Sequence, residues 1–188
     1  KVLPWTFFIS SIRFSVQSLI GNSSLITKIY FPKAVLPLAS ILACFFDFSI
    51  AVVVLSILLL FFKLGISVYI LWLPLFIILL FLFTVGLGLF LSAANLFFRD
   101  IKYVVEIILM FGIFFTPVFY SAEQFGNWRT LLLLNPIGSI LESINAVVVL
   151  RQMPDLLWVG YATLSSLAMF YFGMIIFHKY EPVFAEHI

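Results

Sequence analysis

Residues 69–97 read YILWLPLFIILLFLFTVGLGLFLSAANLF, a stretch without a single Asp, Glu, Lys or Arg. A helix rises about 1.5 Å per residue, so a run of this length is longer than the roughly 30 Å hydrocarbon core of a bilayer requires. It fixes the class of the whole chain, because the remaining 159 residues are of the same kind. Of the 188 residues, 64% are hydrophobic and 10% charged, and the mean hydropathy is +1.25, whereas a soluble domain carries about 25% charged residues. Ten Lys and Arg with eight Asp and Glu cannot cover a water-facing surface. The fold class is therefore all-α, a polytopic membrane protein.

Four other runs meet the same test. Leu3 to Ser24 is interrupted only by Arg13, Val35 to Phe62 only by Asp47, Tyr103 to Ser121 only by Glu106, and Leu156 to Phe177 carries no charge. These predict five spanning helices. The stretch from Glu123 to Leu150 differs, since Asn135 and Pro136 break it and the helical piece beyond is too short to cross. Asn135 suits a cap, Pro136 a first helical position, and Ile137, Ile140, Leu141, Ile144, Val147 and Val148 share one face. A re-entrant or interfacial hairpin over 123–150 is expected, within one membrane domain covering 1–188. The chain opens on Lys rather than Met and has no signal-peptide pattern, so it is read as beginning inside a longer protein.

Orientation follows from the cations. Lys28, Lys33, Arg99, Lys102 and Lys179 fall on one side, and Lys1, Lys63, Arg129 and Arg151 on the other. The first group clusters in tight turns abutting spans, which places those loops in the cytoplasm. The net charge of +2 is too small and scattered for a nucleic-acid surface, so no nucleic acid is expected as a partner. The single Cys44 cannot form an intrachain disulfide.

Arg13 and Asp47 are the costliest residues, because a charge at the centre of a span costs about 2.5–3.5 kcal/mol on insertion scales. Counting from the ends of adjacent spans puts them at similar depth. They form either a buried pair or part of an aqueous path. Ser11, Ser15, Ser18 and Asn22 line up on one face of the first span, where they either line a path for a hydroxylated cargo or pack against a neighbouring helix. Gly86, Gly88 and Ser92 suit close helix approach. Glu106 is expected to pair with Lys102 one turn away. Glu142, on the short helix after Pro136, either sits on a wet face or serves function. No phosphate-cradling loop, H-E-x-x-H motif or cluster of histidines occurs, since His178 and His187 stand alone near the end. Metal, triad and ATP-hydrolysing chemistry are not expected of this chain.

Several short motifs, in order, resemble one family. Leu25-Ile-Thr-Lys-Ile-Tyr-Phe-Pro-Lys33 with Val35-Leu-Pro-Leu38, Asn95-Leu-Phe-Phe-Arg-Asp100, Leu134-Asn-Pro136 and the tail Phe177 to Phe184 are similar to segments of ABC-2 type polysaccharide export permeases. The resemblance covers essentially the whole chain, without the interface helix and first span that precede Pro4-Trp5-Thr-Phe-Phe8 in that family. It implies a homodimeric pore in the bacterial inner membrane, moving a lipid-linked polysaccharide. A separate ATP-binding subunit would hold ATP and Mg²⁺, and this chain no cofactor. Lys28, Ile29, Tyr30, Phe31, Pro32 and Lys33 would couple to that subunit. Asn95, Arg99 and Asp100 would lie in a cytoplasmic loop, and Asn135, Pro136 and Glu142 would border the pore exit. Two alternatives remain at this point. One is a permease of the same type for a small drug or lipid, the other a membrane enzyme acting on polyprenyl-linked sugars. The enzyme would need paired carboxylates or His in interfacial loops, which the sequence lacks.

Overall fold

The computed structural model describes residues 1–29, 31–61 and 67–186, and every regular element among them is helical. The chain runs α1 (Val2–Gly21), α2 (Ser23–Lys28), α3 (Val35–Phe61), α4 (Leu73–Phe97), α5 (Ile101–Phe115), α6 (Arg129–Leu133), α7 (Pro136–Asn145) and α8 (Leu156–Tyr180). Short 3₁₀ turns at Val68–Trp72, Ala122–Trp128 and Glu181–Glu186 and a π turn at Ala146–Leu150 join or extend them. Tyr30, Phe62, Lys63 and His187, all named above, lie outside the described residues.

Three segments are long and apolar enough to cross a bilayer unaided: Val35–Leu59, Val68–Phe97 and Leu156–Phe184. The long α1 carries Arg13 at its middle. The fifth expected span is shorter than its apolar run suggested. Helix α5 stops at Phe115 because Pro117 disfavours helical geometry at the residue before it, and Thr116 is extended at φ −115°, ψ 132°. At 15 residues α5 is about 22 Å long.

Contacts nonetheless give α1 and the α5 segment the same depth range, running antiparallel. Near the start of α5 the Lys102 amide donates to Asn95 Oδ1 (3.1 Å), and Asn95 Nδ2 donates to the carbonyl of Val16 (2.9 Å). Farther along, the indole of Trp5 stands 3.4 Å from where a β-carbon would project at Gly112. Beyond the helix, Lys1 Nζ donates to the carbonyl of Tyr120 (2.7 Å).

The core follows from small residues and phenylalanines. Helices α4 and α8 cross at backbone distance: a β-carbon at Gly173 would overlap the carbonyl of Gly86, and one at Gly86 would overlap that of Met169. Helix α1 seats against both α3 and α4. Phe7 packs between Phe45 and Phe48, with ring centroids 5.8 and 5.2 Å away, and Phe45 continues to Phe81 at 4.9 Å. Such aromatic packing is stable without water because it rests on dispersion and close fit rather than on the hydrophobic effect.

Segment 123–150 forms a hairpin. Its tip lies beside Tyr161, whose hydroxyl donates to the carbonyl of Leu134 (2.5 Å), about 8 Å along α8 from that helix's start. Its flanks stand together: Arg129 Nη2 lies 3.6 Å from Asp155 Oδ2, and Glu123, Arg129, Gln152 and Asp155 line one small cavity of about 100 Å³.

Candidate translocation face and docking face

Helix α1 carries two polar stripes, and only one of them was singled out above. Ser11, Ser15 and Ser18 are buried. Ser15 Oγ donates to the carbonyl of Ile12 (3.1 Å), Ser18 Oγ to that of Ser15 (2.7 Å), and Asn22 Nδ2 to that of Ser18 (2.8 Å). A β-carbon at Gly88 of α4 would come within 2.8 Å of Ser15 Oγ. The serines are therefore a small face against which a neighbouring helix packs.

The second stripe is Thr6, Ser10, Arg13 and Gln17, at spacings of four, three and four, and it points away from the core. Sequence reasoning missed Thr6, Ser10 and Gln17. The signal was the bulk around them: Phe7, Phe8, Ile12, Val16 and Leu19 are all buried, and a helix with that apolar stripe has to turn residues 6, 10, 13 and 17 outward.

Arg13 and Asp47 do not pair. Arg13 Nε stands 4.0 Å from Glu106 Oε1 of α5, each side chain about half exposed (50% and 49%). Asp47 lies on the open side of α3, in a crevice of about 280 Å³ with Thr6, Ser10, Phe14 and Cys44. The reason is rotational. Phe45 and Phe48 of α3 occupy the contact with Phe7, which leaves Asp47 beside that contact, while Arg13 is turned toward α5. Nor does Lys102 pair with Glu106 among the described residues; its Nζ sits 4.7 Å from the Tyr103 ring centroid. Three charges with two hydroxyls and an amide thus share one exposed face at mid-depth. Lipid contact there would cost each charge a few kcal/mol, so the face demands water or another polypeptide.

At the end of the molecule holding Lys28 and Lys33, α2 is a short helix with Ile26 buried and Lys28 exposed. Ile29 follows, 57% exposed, then Phe31, half-buried, and exposed Pro32. Lys33 is clamped: its backbone N–H donates to Glu181 Oε1 (2.7 Å) and its Nζ to the carbonyl of Glu181 (2.8 Å). Asn95, expected in a loop, instead belongs to the last turn of α4 and is fully buried. Its amide is held on both sides by α1 and α5, as above, because a carboxamide can donate and accept at once. Arg99 and Asp100 do lie in the exposed turn between α4 and α5.

At the opposite end the hairpin is built on Asn135 and Pro136. Asn135 Oδ1 accepts from the Ile137 amide (3.2 Å) and caps α7, Pro136 takes the first turn, and Asn135 Nδ2 donates to Thr116 Oγ1 (2.9 Å). Glu142 Oε2 lies 2.6 Å from Lys1 Nζ, the two side chains only 16% and 7% exposed. This pair joins α7 to the start of α1 and was invisible to spacing arithmetic. Among the described residues no group of three or more His, Cys, Asp or Glu gathers to hold a metal ion.

Comparison with known proteins agrees with this architecture. The family described as ABC-2 type transporter matches residues 3–149. A Klebsiella pneumoniae protein named O-antigen export system permease protein RfbA is 28% identical over 195 residues, covering 98% of this chain and 72% of the relative. A like-named Myxococcus xanthus protein is 27% identical over 190 residues, covering 100% and 73%. All-helical, with several membrane-length apolar helices and a match over most of its length, this chain belongs to the ABC-2 type transporter family as a multi-pass transmembrane protein.

Proposed function

We propose that this chain is the membrane-spanning permease subunit of an ATP-driven exporter that moves a lipid-linked polysaccharide across the bacterial cytoplasmic membrane. In this reading ATP is bound and hydrolysed by a separate subunit, and two copies of this chain enclose the path. The names of the relatives, O-antigen export permeases over nearly the whole chain, support the cargo class. The observation that carries the reading is the outward stripe Thr6, Ser10, Arg13 and Gln17 with Glu106 and Asp47 beside it. Hydroxyls, an amide and ions on an otherwise apolar surface suit a wet passage for a hydroxyl-rich chain, which exchanges hydrogen bonds with such groups as it slides. The loop of Ile29, Phe31 and Pro32 at the Lys28 to Lys33 end would engage the ATP-binding subunit on the cytoplasmic side. An exposed isoleucine and proline between two lysines are costly in water unless a partner covers them.

Two measurements test this. Cells lacking the chain should lose surface polysaccharide and accumulate lipid-linked glycan inside; unchanged surface glycan would overturn the cargo. In a Cys44→Ala background of the assembled transporter, cysteines at Ser10 and Gln17 should react with a small hydrophilic thiol reagent, while one at Leu164, exposed on α8, should not. Equal silence at all three would remove the water path.

A further inference from the structure

We propose that an apolar chamber at the end of the molecule opposite Lys28 and Lys33 is a phospholipid site, in which one acyl chain fills the chamber and the anionic headgroup rests against Arg151. The occupant is a lipid of the bilayer leaflet at that end.

Four elements enclose the chamber: the first turn of α1, the second half of α3, the start of α4 with the turn before it, and the end of α7 with the π turn that follows. Its volume is about 290 Å³, against about 150 Å³ for an apolar cavity that stays dry and takes up benzene. Its length matters more. On α3 it runs from Phe48 through Val52 and Leu55 to Leu59, a rise of about 16 Å. That is half of the roughly 30 Å hydrocarbon core, the depth of one leaflet.

Chemistry decides what fills it. Three polar side chains interrupt the apolar lining, those of Lys1, Ser56 and Asn145. Lys1 Nζ is taken by Glu142 and by the carbonyl of Tyr120, and Ser56 Oγ donates to the carbonyl of Val52 (2.7 Å). The Asn145 carboxamide makes no hydrogen bond among the described residues. Buried water needs about three polar partners, which one free carboxamide cannot supply, and an empty chamber would forfeit the dispersion contacts of its lining. Hydrocarbon is what remains. In a bilayer, acyl chains outnumber every other source of it, so mass action favours them. The ester carbonyl at the head of such a chain can accept from the carboxamide. The charge beside the chamber suits a phosphate. Arg151 stands two residues beyond Val149 of the wall, exposed and without an ion pair among the described residues. Its φ of 56° lies in the left-handed region that arginine seldom adopts, so the chain holds a cation there at a cost in backbone strain. No carboxylate is among the described lining residues, and nearby Asp155 is matched by Arg129 at 3.6 Å. An anionic headgroup therefore meets charge that nothing else cancels.

The test uses the assembled transporter, loaded with phosphatidylglycerol that carries a diazirine in one acyl chain, washed in detergent and then illuminated. Mass spectrometry should find adducts concentrated on residues 48–59 and 144–149 and scarce around Leu164, which is exposed on α8. Ser56→Phe, which puts a ring into the chamber from an exposed position of α3, should lower the chamber adducts about tenfold. Arg151→Glu should lower labelling by phosphatidylglycerol more than labelling by a zwitterionic phosphatidylethanolamine probe. Should Ser56→Phe not fold, the adduct map of the unaltered protein and the Arg151→Glu comparison still decide. Adducts equally dense around Leu164 overturn the site in favour of the ordinary lipid annulus. A chamber without adducts overturns it in favour of a polypeptide segment seated there. Indifference to Arg151→Glu overturns the headgroup contact. Labelling displaced by polyprenyl phosphate, but not by the same amount of unlabelled phosphatidylglycerol, overturns the phospholipid in favour of an isoprenoid tail.

Discussion

At residue scale, two glycines on α8 separate packing from propensity. Gly173 meets the backbone of Gly86, whereas a β-carbon at Gly160 would meet nothing within 4 Å. Gly173→Ala should therefore cost about 1–3 kcal/mol through overpacking against backbone that cannot step aside, and Gly160→Ala should be neutral or gain up to about 1 kcal/mol from helix propensity. Thermal unfolding in detergent measures both, and equal midpoints for the two variants would mean that the α4–α8 crossing is looser than described. The same scale shows where the sequence ran out. Helical spacing aligned Ser11, Ser15 and Ser18 correctly, but spacing alone does not say which way a face points. Depth counting put Arg13 and Asp47 level, yet pairing also requires the two helices to be turned toward each other, and the Phe7–Phe45–Phe48 contact sets that rotation otherwise. Asn95 was assigned to a loop by the resemblance of the Asn95 to Asp100 segment, although the apolar run already reached Phe97; a buried carboxamide serving two neighbouring helices has the same spelling.

At element scale, hydropathy carried the long helices, since a bilayer tolerates only backbone whose hydrogen bonds close internally. It overstated α5, because apolar residues continue through Val118 and Phe119 although Pro117 had already ended the helix. The hairpin over 123–150 was legible from Asn135 and Pro136, which act locally through a cap and a fixed φ. Its flanks give a direct measurement. Single cysteines at Glu123 and Gln152, in a Cys44→Ala background, should both react with an impermeant thiol reagent applied from the outer side of intact cells. Reaction of one alone would mean that the segment crosses, and it would invert the placement of α8.

For the whole molecule, the two ends of the bundle are closed by contacts between residues far apart in sequence, which no local pattern announces. One end is gathered by Asn95 and by the Lys33–Glu181 clamp, the other by Lys1 and Glu142, 141 positions apart. Removing one partner of a buried ion pair costs about 3–5 kcal/mol, while removing both with apolar replacements is far cheaper. Glu142→Leu alone should therefore lower folded yield strongly, and adding Lys1→Met should restore much of it; additive losses in this double-mutant cycle would deny the coupling. The backbone contact of Gly86 with Gly173 reaches further still. Where the two helices touch carbonyl to α-carbon there is no side-chain layer to shear or repack, so the crossing pins α4 to α8, and the Phe90–Phe172 ring contact adds to it on one flank. Helix α5, by contrast, buries only Val105 and Leu109 of its own residues. The rest of its surface is left for lipid or another polypeptide to cover, so α5 owes its place less to its own burial than to the Asn95 carboxamide that ties its first turn to α1.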